Sequence, residues 1–281
     1  MVGRFGENYV SHCETICSKY FSFVAAGEWF YCRYNRRLII IYECGPSGGF
    51  GKNERRIVIL WIVMIWSIIY ACFTAVIIWG LSRIHPGRSK DTPKVSVVIA
   101  ARNEAANIRR CIESVRTQDY DPGQYEVIVA DDRSTDSTPS ILHELGASWP
   151  ALRIIRIDIT PAGISPKKHA LAQAISMASG EIILQTDADC EVPPGWISGM
   201  AGAFRSETGF VAGVAPYRTA PGLLNSFIRH EYLWNAALAA ASISFGRGTH
   251  ASGRNMGFRR DIFVRLGGYG ETAAVLSGDD T

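Results

Sequence analysis

What the sequence lacks narrows its function first. No C-x-x-C pair occurs and no His-x-x-His group accompanies its seven cysteines, at positions 13, 17, 32, 44, 72, 111 and 190. An odd, scattered set of thiols argues against a disulfide framework or a zinc site and for reduced cysteines in a cytosolic compartment. No G-x-G-x-x-G follows the first apolar strand and no G-x-x-x-x-G-K-S/T occurs, so dinucleotide-binding and Walker-type phosphate sites lose their signatures. Gly-X-Y and Pro repeats are missing, and 47% of the 281 residues are hydrophobic, which excludes fibrous and disordered classes. The excess of positive charge is also small, at +3. It belongs to the N-terminal third: residues 1–56 carry +3, residues 57–90 carry +3, and the remaining 191 carry −3. A slightly acidic main domain gives no electrostatic footprint for nucleic acid.

Against these absences stands one long apolar run. Ile57 to Leu81 is 25 residues without a charge. As a helix it would reach ~37 Å, enough for a hydrocarbon core of ~30 Å. Trp61, Trp66, Tyr70 and Trp79 suit interfacial anchoring. Lys52, Arg55 and Arg56 before it are matched by Arg83, Arg88 and Lys90 after it, so charge counting leaves its orientation open. Residues 1–56 read as a poorly defined basic leader, 57–81 as a transmembrane helix, 82–93 as a linker and 94–281 as the main domain.

From Lys94 onward strands alternate with helices. KVSVVIAA (94–101), YEVIVADD (125–132), LRIIRID (152–158) and EIILQTDAD (181–189) read as buried parallel strands. Between them lie a helix from Glu104 to Arg116 capped by Asn103, one capped within STDST (134–138), and one over 167–178. The expected fold is therefore α/β, a mainly parallel sheet flanked by helices. Right-handed crossovers bring all strand C-termini to one edge, where such sheets bind ligands. Asp131 and Asp132 meet Asp187 and Asp189 there. Carboxylates spaced Asp-x-Asp can hold a hard divalent cation, Mg2+ or Mn2+, which grips a diphosphate. Asp189 would be the inner ligand, with Asp187 facing a ribose or the cation through water; the bland alternative is that both merely end a strand.

Six ordered segments, VSVVIAARNEAANIRRCIESV, VIVADDRSTDST, SPKKHAL, SGEIILQTDADC, SGRNMGFRR and SGDD, make residues 94–281 resemble the membrane-associated family 2 glycosyltransferases. That is the inverting group that includes cellulose, chitin and hyaluronan synthases. The resemblance implies a GT-A fold and a nucleotide contact at Ala101, Arg102, Asn103 and Glu104. It implies base and ribose contacts at Asp131 and Asp132, with Asp132 the preferred ligand and Asp131 alternatively a structural acid, a basic loop in which Lys167 or Lys168 approaches the diphosphate, and a metal motif at Asp187 and Asp189. Arg254 and Asn255 would line the sugar and acceptor pocket. Asp280 would be the catalytic base, with Asp279 where the family carries Glu, a shorter reach with the same charge. The expected partners are a nucleotide diphosphate-sugar donor, a hydroxyl-bearing glycan or lipid acceptor, and the inner or cytoplasmic membrane with the catalytic domain cytosolic; nucleic acid is not expected. The family's Gln-x-x-Arg-Trp segment does not follow before Thr281, which makes an N-terminal fragment of a longer enzyme the expectation. The rival readings are a non-catalytic nucleotide-sugar-binding protein and a sugar-1-phosphate nucleotidyltransferase; the latter would need a Gly-rich loop that Ala101–Ala105 does not supply.

Overall fold

A computed structural model describes residues 22–26, 29–34, 37–43, 52–84, 92–217, 221–248 and 251–274. The chain divides into two compact units, residues 1–71 and 72–281. In the first, strands β1 (Ser22–Ala26), β2 (Trp29–Tyr34) and β3 (Arg37–Glu43) form an antiparallel sheet that the sequence reading did not anticipate. Helix α1 (Lys52–Ser82) contains the expected apolar run. Residues Arg56–Ser82 include a window of mean hydropathy 2.4, none of it buried, so the segment is long and apolar enough to cross a membrane.

The second unit is built on a six-stranded sheet of order β6-β5-β4-β7-β9-β8. β4 (Val95–Ala101), β5 (Tyr125–Asp132), β6 (Leu152–Ile157) and β7 (Ile182–Gln185) run parallel; β8 (Phe210–Ala212) and β9 (Met256–Arg259) close one side antiparallel. Period-2 alternation sends Val95, Val97 and Ile99 to one face and Val98 to the other, and both faces are dry. Continuous Val/Ile runs are what a strand covered on both sides requires. Helices α2 (Ile108–Arg116), α3 (Thr138–Ser148) and α5 (Trp196–Ala201) cover the first face, and α4 (Pro166–Ser176) the second. The α2 stripe Ile108, Cys111, Ile112 and Val115 is buried, each large side chain contributing ~1.5–3 kcal/mol. Helix α6 (Leu223–Ser244) and the short α7 (Arg260–Arg265) complete the unit.

Two expectations need correction. The helix after β4 begins at Ile108, not Glu104, and Asn107 rather than Asn103 occupies its N-cap. Asn103 has φ 56 and its backbone N–H goes to Ser134, in another crossover, so the turn belongs to a rim and not to a helix. The strand expected over 181–189 ends at Gln185, leaving Asp187 and Asp189 in the turn beyond it.

Candidate functional site

The turns after β4 and β5 interlock at the C-terminal edge of the sheet. Asn103 N donates to Ser134 Oγ (3.0 Å), Glu104 N to Thr138 Oγ1 (2.8 Å) and Ala105 N to Asp136 Oδ2 (3.1 Å), while Thr135 N donates to Asn103 Oδ1 (2.8 Å). Among the described residues, Asn103 and Arg133 are the non-glycine residues with positive φ, at 56° and 55°. Strained backbone of this kind persists only where its surroundings over-determine it, and it clusters at ligand sites.

A cavity of about 370 Å3 opens beside this rim, lined among others by Arg102, Glu104, Asp132, Lys167, Asp187 and Asp189. Ala101 also lines it. The two acids of β5 separate here. Asp131 is buried and spent within the protein: Oδ1 accepts from Ser134 N (3.1 Å) and Oδ2 from Arg156 Nη1 (2.9 Å). Asp132 borders the cavity, with Arg133 Nε at 2.8 Å and Arg102 Nη1 at 3.8 Å. Arg133 went unread in the sequence, although its place directly after Asp-Asp was a visible signal.

The lysine pair also separates. Lys167 borders the cavity and pairs with Asp187 Oδ1 at 3.1 Å. Lys168 is buried and turned away, its Nζ donating to the Thr272 carbonyl (2.8 Å). Ser165 N bonds the Ala273 carbonyl (2.9 Å), so the segment over 270–274 is tied to the start of α4.

A second cavity of about 680 Å3 shares Asp189 with the first and is lined by Cys190, Trp196, Tyr217, Arg254 and Asn255. Asn255 is fixed from both sides: Trp196 Nε1 donates to its Oδ1 (2.9 Å), and its Nδ2 donates to the Val214 carbonyl (3.0 Å). The Arg254 guanidinium lies 4.4 Å from the Tyr217 ring centroid and 5.6 Å from that of Tyr232. Trp196 and Tyr217 carried no local signal, because only the fold brings them to this wall, and neither did Tyr232 beside Arg254. Asp279 and Asp280 lie outside the described residues.

Among the described residues no group of three or more His, Cys, Asp or Glu could hold a metal ion. Asp189 borders both cavities and Asp187 the first, and Mg2+ or Mn2+ commonly takes one or two carboxylates with substrate phosphate oxygens and water completing the shell. Burial, then the nearby Asp189 and Asp187, pushes the Cys190 thiol up to about 11. Asp187 and Asp189 offer carboxylate oxygens at this turn, a donor set that fits a hard cation.

A family model described as Glycosyl transferase family 2 matches residues 96–267. The chain is 41% identical over 100 residues to a beta-monoglucosyldiacylglycerol synthase of Nostoc sp., covering 36% of this chain and 21% of that protein. It is 27% identical over 190 residues to the probable glycosyltransferase YdaM of Bacillus subtilis, covering 66% and 44%. Each match therefore spans less than half of the relative's length. In fold it is similar to the mannosyltransferase PcManGT from Pyrobaculum calidifontis in complex with GDP-Man and Mn2+, with TM-score 0.58 and 24% identity over 76% of this chain and 59% of that one. The α/β sheet flanked by helices is of GT-A type. On the family match across most of its second unit, the chain belongs to glycosyl transferase family 2.

Proposed function

We propose that the chain carries the donor site of a membrane-anchored glycosyltransferase that moves a sugar from a nucleotide diphosphate-sugar to a hydroxyl acceptor with inversion. The observation that carries this is the single cavity bordered by Arg102, Asp132, Lys167, Asp187 and Asp189 at the C-terminal edge of the sheet. Asp132 accepts hydrogen bonds from the nucleoside, releasing Arg133 and Arg102 toward anionic oxygens. Lys167 offsets diphosphate charge. Asp189 and Asp187 would hold Mg2+ or Mn2+, which when bound neutralises the diphosphate leaving group. Arg254 and Asn255 orient the transferred sugar against the second cavity, and Asp280 removes the acceptor proton, with Asp279 beside it. The glucosyldiacylglycerol synthase relative supports a lipid acceptor, and the apolar α1 supports anchoring in the inner or cytoplasmic membrane.

Titration of donor with and without Mn2+ tests the site. Asp189→Ala should remove the cation-dependent part of donor binding, while Asp132→Ala should weaken binding equally with and without cation. Asp189 is exposed in a turn, so its substitution should move the thermal midpoint little, costing about 1 kcal/mol or less, whereas Asp132 is buried and its donor titration is read per folded molecule. Normal cation-dependent binding by folded Asp189→Ala protein would refute the assignment.

A further inference from the structure

The two lysines that open α4 face different partners, and the second has no part in the donor cavity. Ser165, Pro166 and Lys167 line that cavity. Lys168, about 100° further round the helix, is 3% exposed, and its Nζ donates to the Thr272 carbonyl at 2.8 Å. Taking an ammonium out of water is costly unless its protons meet acceptors. The next carbonyl is held by the same helix end: the N-cap residue Ser165 donates its N–H to Ala273 at 2.9 Å. Two consecutive carbonyls bound by one turn of α4 fix the direction of the 270–274 segment as well as its distance. Its other end is held too. The Tyr269 ring lies 5.3 Å from that of Phe263, which stacks on Phe258 of β9 at 5.1 Å, while Thr272 N and Oγ1 donate to the Tyr269 carbonyl at 2.9 and 2.6 Å.

This turn leaves directly from the wall of the donor cavity, because Ala273 stands one hydrogen bond from the cavity residue Ser165. Six residues lead from Ala274 to Asp280, a length of chain that reaches at most ~22 Å. Where the turn is pinned therefore limits where Asp279 and Asp280 can stand. Resting on the assignment of Asp280 as the base, we infer that Lys168 is a positioning residue. Its ammonium pins the turn from which the Asp279–Asp280 segment departs to the same helix turn whose Lys167 offsets the diphosphate. One turn of α4 thus places leaving-group cation and base together, and Lys168 acts through Asp280 without touching the donor.

Hydrogen exchange on the full chain tests the pin. In Lys168→Met, amides of residues 270–274 should exchange at least about tenfold faster while those of β4 and β5 keep their protection. Lys168→Arg, which keeps a cationic donor, should restore most of it. Lys168→Gln carries the same predictions if the methionine variant does not fold. Hydrolysis of UDP-glucose, UDP-N-acetylglucosamine and GDP-mannose with Mn2+, water standing in for the acceptor, tests the consequence. Lys168→Met should lower kcat about 10²-fold, as for a catalytic group displaced by ~1 Å, with KM moved less than about twofold. Combined with Asp280→Asn it should lower kcat no further than Asp280→Asn alone. Unchanged exchange over 270–274 in folded Lys168→Met protein, or a raised KM at constant kcat, overturns the inference and leaves the base assignment standing. Wild-type kcat in Asp280→Asn removes the base itself, and the inference with it.

Discussion

Glu126 lies at the opposite end of β5 from the acidic cavity and serves stability. Its carboxylate accepts from Ser96 Oγ (2.7 Å), Ser179 N (2.7 Å), Ser179 Oγ (2.6 Å) and Arg153 Nη1 (3.1 Å). Burial alone would raise its pKa, yet the bonds from Ser179, Ser96 and Arg153 hold it down at about 2 against an ordinary 4.5. A lowered folded pKa contributes stability above the unfolded value and loses it as pH falls from about 4.5 through about 2. With Arg153 partly exposed, screening leaves about 1–2 kcal/mol. Glu126→Gln should therefore unfold more easily than wild type in denaturant at pH 7, and the difference should vanish near pH 2. A gap that stays constant across this range would contradict the assignment. At the other end of the strand the two acids should behave oppositely. Asp131→Ala should lower stability by about 1–3 kcal/mol by stranding Ser134 N and Arg156, whereas Asp132→Ala should mainly lower donor affinity.

Among the elements, β7 depends on a glycine at its approach. A Cβ on Gly180 would fall 2.5 Å from Ser96 N and 2.7 Å from the Val95 carbonyl carbon, backbone atoms of the neighbouring β4. Gly180→Ala should cost about 1–3 kcal/mol through overpacking, read as a lower denaturant midpoint at unchanged slope. Strands β4 and β5 were legible because burial on both faces leaves unbroken Val/Ile runs, and the acidic edge followed from their parallel order. The start of α2 was misread because Asn103, Glu104 and Ala105 bond to Ser134, Asp136 and Thr138, some thirty residues away. Such partners leave no local trace. Helix α6 escaped notice because two apolar faces blur the single stripe by which a surface helix is recognised. β1, β2 and β3 carried no turn motif that marked them. Arg254, Asn255 and the preference for Asp132 over Asp131 as a ligand came from the family resemblance, but the aromatic clamp on Arg254 and the Ser134 and Arg156 partners that hold Asp131 required the fold.

For the molecule as a whole, donor supply sets the topology expected of the proposed enzyme. Nucleotide sugars are made in the cytosol, so a reporter fused after residue 90 should report a cytosolic location and one at residue 50 the far side; the reverse pattern would sink the proposed orientation. The interlocked turns at the sheet edge also determine how this region opens to solvent. The amides of Asn103, Glu104, Ala105 and Thr135 are each held by the opposite crossover, so no one of them can be freed by a local flicker of its own turn. In native-state hydrogen exchange they should share one opening free energy and one dependence on denaturant, as a single cooperative unit. Nucleotide should slow all of them by the same factor, so that the edge of the sheet records occupancy of the donor site as a collective clock.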